Sequence, residues 1–320
     1  MKNILVTGGL GFIGSHFIQL ISEKHPETLI TNVDKKTYAV NKQTEADLNK
    51  LRNYRLKEAD LANKDDYSKI FDQFYDAIIH FAAESHVDRS IHSVFPFIQS
   101  NVLGTVRLLE ALKEGKAKRM IHVSTDEVYG SLTKEAPPFH QKSPISPNNP
   151  YAASKASSDL FVRSFYKTYQ VPVITTRSCN NFGENQHIEK LIPKTIVNAL
   201  MDREVPVYGS GNQMREWIYV KDHCEALYII LMKGRVGQTY LIGSNEEKRN
   251  IDVVKNILSR LGKPVSLISY VGDRLAHDQR YSLEKDDKLN QLGWKPKFTF
   301  GAALDKTIQW YYRGGINRWL

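Results

Sequence analysis

Cysteine is nearly missing from this chain: Cys179 and Cys224 are the only two in 320 residues. Two thiols cannot build a disulfide framework, and their separation fits no metal-ligand spacing. Both are expected to be buried and inert. Long apolar runs are missing too. A membrane span needs roughly 18 such residues, and the longest candidate, Ala226–Met232, falls far short. Met1-Lys2-Asn3 leads directly into a strand, with no charged leader and apolar core of a secretory signal. A cytoplasmic protein is therefore expected. Internal repeats and low-complexity tracts are absent. Acidic residues are in deficit, 35 against 44 Lys and Arg, so the net charge is +9. A nucleic-acid surface would cluster those cations among aromatics. Here they are scattered, and a basic cleft for a small anion explains the balance as well.

What is present is an ordinary globular composition, 41% apolar and 25% charged, long enough for one large domain with a smaller partner. Ile4-Leu5-Val6 is a short apolar run that stops at glycines, as a buried strand does. A helix should follow over Gly11–Lys24, then strands Leu29–Val33 and Tyr54–Glu58. The pattern continues with a helix Asp65–Phe74, a strand Ala77–Phe81 and a long helix Pro96–Glu114. Strand Arg119–Ser124, helix Tyr151–Tyr169 and strand Val173–Arg177 complete it. This alternation predicts an α/β fold, a Rossmann-type doubly wound parallel sheet covered on both faces. Five prolines between Glu135 and Pro150 predict an irregular loop, with Pro150 in the first turn of the next helix. After Arg177 the alternation fades. Residues 1–178 are expected to form a nucleotide-binding domain to which 216–243 return. Residues 179–215 and 244–320 are expected to form a smaller α/β substrate-binding domain.

Val6-Thr7-Gly8-Gly9-Leu10-Gly11-Phe12-Ile13-Gly14 sets glycines at 8, 11 and 14 between a strand and a helix. Glycine allows a tight turn and close approach to a pyrophosphate, with the helix N-terminus facing the anion. Asp34 lies 20 residues past Gly14 at a strand end, where a carboxylate binds a ribose diol. It favours NAD over NADP, although Lys35 and Lys36 could pair with a 2′-phosphate. Asp60 is either an adenine contact or a cap. Further on, Tyr151 and Lys155 are four apart and share a helix face. An ammonium there would stabilise a phenolate. Asp126 and Glu127, beside Thr125, add an acid and a base that a simple dehydrogenase does not need.

Gly8-x-x-Gly11-x-x-Gly14 with Tyr151-x-x-x-Lys155 resembles the extended short-chain dehydrogenase/reductase superfamily. Four stretches, 32–39, 80–90, 124–130 and 189–193, are similar to the nucleotide-sugar 4,6-dehydratases, and the likeness runs from the first strand to Gly293-Trp294. It implies bound NAD and a nucleoside-diphosphate hexose as substrate. dTDP-glucose is favoured, with UDP-glucose or UDP-N-acetylglucosamine open. The implied reaction oxidises C4, eliminates water across C5 and C6, and reduces C6.

The resemblance implies that Tyr151 is the base at the 4-hydroxyl, lowered by Lys155, and that Thr125 hydrogen-bonds the same group. Glu127 would take the C5 proton, and protonated Asp126 would release the 6-hydroxyl. Gly8, Gly11, Phe12, Ile13, Gly14, Asp34 and Lys35 would contact NAD. Asp60, Leu61, Phe81, Ala82 and Ala83 would join them, with Tyr151 and Lys155. For the nucleotide sugar the implied contacts are Ser85, Asn181, Glu189, Lys190, Leu191 and Pro206. Tyr208, Arg215, Asn250, Arg274, His277 and Tyr281 complete that set. His86 is either a ligand or a satisfied buried histidine. No metal is implied.

The chain departs from the family pattern at Glu184, Glu216 and Leu275-Ala276, all in the nucleotide-sugar half. A 4-epimerase of the same superfamily would share the glycines, Tyr151 and Lys155 without needing Asp126 and Glu127. A noncatalytic NAD-binding protein would need neither pair. A homodimer is expected through helices near Asn101–Glu114 and Ala152–Tyr169, with Leu103, Leu108, Leu109 and Leu112 as candidate apolar surface.

Overall fold

Ile4, Leu5 and Val6 of the first strand have no exposed surface, and burying each contributes about 1.5–3 kcal/mol. Runs of this kind form the centre of the fold in the computed structural model, which describes residues 1–319. Numbered along the chain, the strands are β1 (Asn3–Thr7), β2 (Leu29–Asp34), β3 (Tyr54–Glu58), β4 (Ala77–His80), β5 (Met120–Thr125) and β6 (Val173–Ser178). Then come β7 (Asn180–Phe182), β8 (Val205–Tyr208), β9 (Met214–Tyr219), β10 (Thr239–Ile242), β11 (Glu247–Arg249) and β12 (Ile268–Val271).

Seven strands make one sheet in the order β10-β6-β5-β4-β1-β2-β3, and every adjacent pair is parallel. The expected doubly wound α/β fold is present. The chain builds outward from β1 through β2 and β3, then returns to start β4 on the other side of β1. Between β1 and β4 the winding reverses, and ligands bind in the crevice at such a point. The later strands form a three-stranded sheet, β11-β9-β7, and a pair, β12-β8. Of the expected return over 216–243, the helix Val220–Lys233 packs on the helix Phe12–Lys24 and β10 joins the large sheet. Glu216–Tyr219 does not, because it ends β9 of the small sheet.

Three elements differ from expectation. The span 96–114 is not one uniform helix: a π-helical stretch, Ile98–Leu103, precedes the α-helix Gly104–Lys113. The hydroxyls of Thr105 and Ser158 both donate to the Asn101 carbonyl at 2.6 Å. That carbonyl is drawn out of the regular ladder, which widens the turn. The helix expected over 65–74 is a 3₁₀ turn and one α-turn ending at Ile70, because the Tyr75 hydroxyl takes the Ile70 carbonyl at 2.9 Å. A helix not expected, Lys42–Leu48, starts at Asn41, whose side chain accepts from the Gln43 and Thr44 amides. Cys179 and Cys224 are buried free thiols, and burial pushes both up in pKa. Among the described residues no helix is long and apolar enough to cross a membrane, and no His, Cys, Asp and Glu cluster could hold a metal.

Candidate active site

Past β1 the backbone turns at Gly8 (φ +70), where a Cβ would come within 2.5 Å of the Ala82 amide nitrogen beyond β4. A Cβ on Gly14 would meet the Gly8 carbonyl oxygen at 2.5 Å. The bare backbone therefore packs flat at the switch point. Gly11 opens the helix Phe12–Lys24, and no side chain caps its first amides. They remain, with the positive end of the helix dipole, for an anion.

Asp34 is tied to this loop: one carboxylate oxygen accepts the Leu10 N–H at 3.0 Å and the other the Lys36 N–H at 2.9 Å. Lys35 donates to the Ser100 hydroxyl at 2.6 Å and pairs with Asp60 at 3.6 Å. Lys36 pairs with Glu45 at 2.8 Å and Glu58 at 3.1 Å. Both lysines that could have met a 2′-phosphate are engaged, so the cradle fits NAD rather than NADP. Asp60 also accepts the Ala62 N–H at 2.9 Å in a turn; it is not a helix cap, since Asn63 caps the 3₁₀ turn that follows.

One cavity of about 330 Å³ runs through this region. Its wall includes Gly8, Gly11, Phe12, Ile13 and Gly14, then Asp34, Lys35, Asp60 and Leu61, and beyond β4 Phe81, Ala82 and Ala83. Thr125, Asp126, Glu127, Tyr151 and Lys155 line the same cavity, as do Ser85, Asn181, Glu189 and Lys190.

β5 delivers Thr125, whose hydroxyl accepts the Glu127 N–H and donates to Asp126, both at 3.2 Å. Asp126 is 1% exposed, and one of its oxygens has no partner among the described residues. Burial first, then the negative charge of Glu127 and Glu216, holds it well above the usual carboxylate range. Glu127 is also raised by burial, but Arg215, Arg274 and Lys190 pull it back. The two carboxyls therefore sit in different fields: both are raised, and the nearby cations offset the shift at Glu127 more than at Asp126.

Asn149 accepts the Ala152 N–H at 2.9 Å and so starts the helix Pro150–Tyr169 that carries Tyr151 and Lys155. Tyr151 does not have the lowered pKa expected from Lys155. Burial and the charges of Glu127 and Asp126 raise it, while a hydrogen bond with Thr125 opposes them. The Lys155 ammonium donates instead to the Val123 carbonyl at 2.8 Å, and burial brings its pKa down to about 8. One turn further on, Asp159 joins His122 at 3.1 Å and Arg177 at 2.7 Å, and Arg177 donates to the Tyr129 hydroxyl at 2.6 Å. This buried set braces the helix against β5 and β6.

The remaining substrate candidates lie outside the cavity wall. The Arg215 guanidinium is buried over the Tyr281 ring at 4.4 Å and donates to the carbonyls of Met214 at 2.8 Å and Asp278 at 2.9 Å. Tyr281 donates to Asp278. Arg274 and Tyr208 converge on Asp88 at 3.5 and 3.1 Å. His277 meets Tyr208 edge-on and holds Asp273 at 2.6 Å. Pro206 lies two residues before Tyr208 in β8. Asn250 and Leu191 each open a helix, and the Asn250 side-chain oxygen is buried without a partner among the described residues. Glu189, counted toward the substrate, is surrounded by His86 and His187, each at 3.6 Å, and Arg89 at 3.9 Å. His86 caps a short helix by accepting the Arg89 N–H.

The departures from the family pattern are structural. Glu216 accepts the Ser244, Asn245 and Leu283 amides and pins two loops to β9. Glu184 accepts the Tyr219 hydroxyl at 2.7 Å, outside the cavity wall. Ala276 adopts φ +49, a conformation that glycine takes freely. His187 and Trp319 also line the cavity, and the sequence reading names neither. No local motif marks them, since chain folding alone brings them there.

The profile of the family described as GDP-mannose 4,6 dehydratase matches residues 5–307. The chain belongs to that family. A dTDP-glucose 4,6-dehydratase from Haemophilus influenzae is 44% identical over 97% of this chain and 98% of its own length. A crystal structure titled dTDP-glucose 4,6-dehydratase from Bacillus anthracis in complex with NAD is 42% identical, covers 98% of this chain and 97% of that one, and superposes with a TM-score of 0.89. The Streptomyces venezuelae dTDP-glucose 4,6-dehydratase with NAD bound is 41% identical over the same shares, with a TM-score of 0.93. Family membership and the glycine cradle agree on NAD as the cofactor.

Proposed function

We propose that this protein converts dTDP-glucose to the dTDP-4-keto-6-deoxyhexose, as an NAD-dependent 4,6-dehydratase. The observation that carries this reading is the Asp126–Glu127 pair on the same cavity wall as Tyr151 and Lys155. A 4-epimerase has no use for the two carboxyls. The names of the relatives point to the same reaction and the same sugar nucleotide.

Bound NAD supplies a cationic ring and a hydride acceptor that becomes the donor again at the end of the cycle. Gly8, Gly11, Gly14 and the uncapped amides of the helix Phe12–Lys24 would hold its pyrophosphate, and Asp34 its ribose diol. Tyr151 takes the proton of the 4-hydroxyl, and Thr125 orients that hydroxyl. A buried phenol ionises only beside positive charge; the Lys155 ammonium is turned to the Val123 carbonyl, so the cationic ring of bound NAD would have to supply it. The C4 ketone makes the C5 hydrogen acidic. Glu127 removes it, and Asp126, protonated in its buried site, donates to the departing 6-hydroxyl. Glu127 then returns a proton to C5 as C6 is reduced. Arg215, Arg274 and Lys190, the cations felt by Glu127, are suited to the diphosphate.

The test is turnover of a panel of dTDP- and UDP-sugars in deuterium oxide, followed by NMR. The C4 hydrogen is expected at C6, with one solvent deuterium at C5. Return of that hydrogen to C4 with the 6-hydroxyl kept would sink the reading.

We also propose a homodimer, in the cytoplasm, where the two buried thiols stay reduced. The face expected for it is redrawn: Leu108, Leu109 and Leu112 belong to the core. Leu103 is exposed, together with Phe95 (77% exposed), Ile98, Leu160 and Phe161 on the same pair of packed helical segments. Large apolar side chains left exposed on neighbouring helices suit an interaction surface. Light scattering at micromolar concentration is expected to give twice the chain mass, and a strict monomer refutes the dimer.

A further inference from the structure

Trp319 takes no part in the chemistry above, yet it lines the same cavity as the glycine loop and Asp34. A short 3₁₀ turn, Gly315–Arg318, carries it there. That turn is fastened to the segment that follows Asp34. Asn41 donates to the Arg318 carbonyl at 2.6 Å, and the Arg318 guanidinium pairs with Asp47 at 3.0 Å and lies over the Trp310 ring at 5.5 Å. The indole meets His187 edge-on, with ring centroids 4.7 Å apart.

The loop that carries His187 is anchored to two other segments just before that residue. Asn185 donates to the Thr44 hydroxyl at 2.8 Å, and the Tyr311 hydroxyl to the Gln186 carbonyl at 2.5 Å. Three segments far apart in sequence thus close one wall beside the residues that follow Asp34. The indole N–H is buried there, and no acceptor meets it among the described residues.

We propose that Trp319 is a cofactor-holding residue: its ring closes the cavity wall over the adenosine end of bound NAD, next to the segment that follows Asp34. The cofactor then stays on the protein between turnovers. This rests on the reading of the protein as an NAD-dependent dehydratase, in which the cofactor ends each cycle as it began. Slow release therefore costs no turnover, and a wall that retains the cofactor is compatible with the reaction.

The experiment is NAD release from the holoprotein. Protein loaded with radiolabelled NAD is diluted into excess unlabelled NAD, and the retained label is followed in time. W319A is expected to release it about tenfold faster than wild type, the loss of one aromatic contact. W319F keeps an aromatic ring at that wall, and is expected to release within about twofold of wild type. The unfolding midpoint of the NAD-free protein separates this from simple damage. Faster release at an unchanged midpoint supports the proposal. Release from W319A at the wild-type rate overturns it, and so does faster release that comes only with a lowered midpoint in both variants. A wild-type protein that binds no NAD sinks the enzymatic reading as well. Normal NAD binding with an unchanged W319A rate sinks the role of Trp319 alone.

Discussion

Tyr151→Phe is expected to lower turnover by about 10²–10⁴-fold, the usual cost of removing a general base, with NAD binding retained. Phenylalanine keeps the ring that meets Phe97 edge-on, with centroids 6.4 Å apart. Only the hydroxyl is lost, and with it the group proposed to accept the 4-hydroxyl proton. The structure makes the demand on this residue heavy. Burial and two neighbouring carboxyls push the phenol up, so ionisation depends on nearby positive charge. Asp126, kept protonated, removes one of the opposing charges, so the acid also serves the base. Steady-state product formation and a separate NAD titration check the expectation. Full turnover by the variant would remove Tyr151 from the reaction.

Asp126→Asn is expected to cost a similar factor, about 10²–10⁴-fold in product formation, but to stop the cycle later. The amide fills the same space and can still meet Thr125, yet it cannot hand a proton to a leaving hydroxyl. The sugar should be oxidised at C4 and keep its 6-hydroxyl. Reduced nicotinamide should then accumulate, visible by its absorbance, whereas Tyr151→Phe should show none. Because burial holds Asp126 well above the usual carboxylate range, its acid form persists to higher pH than that of an exposed aspartate and is lost as pH rises through that raised pKa. A wild-type rate, or no reduced nicotinamide at all, contradicts the assignment of Asp126 as the acid of the elimination.

The fold was legible where its cause is local. Ile4-Leu5-Val6 ending at glycines, and the strands and helices that follow to Arg177, depend on periodicity that neighbouring residues carry. The glycines at 8, 11 and 14 with Asp34, and the pairs Tyr151–Lys155 and Asp126–Glu127, were legible for the same reason. Each is a fixed spacing on one element or turn. The helix at Lys42 was also readable in principle, since Asn41 is a strong N-cap residue. The break at Asn101 was not, because one of the hydroxyls that draw out its carbonyl belongs to Ser158 on another helix.

Sequence alone therefore determined the doubly wound sheet, the cofactor cradle and the residue types of the catalytic set, since backbone turns and helix faces follow from nearest neighbours. Tertiary structure decided what those residues experience. It engaged Lys36 with Glu45 and Glu58, turned the Lys155 ammonium to the Val123 carbonyl, raised Tyr151, and buried Glu216 as a pin between loops. It also carried Trp319 to the cavity that begins at Gly8. Burial and electric field are sums over everything that packs around a group, and most of those neighbours are distant in the chain.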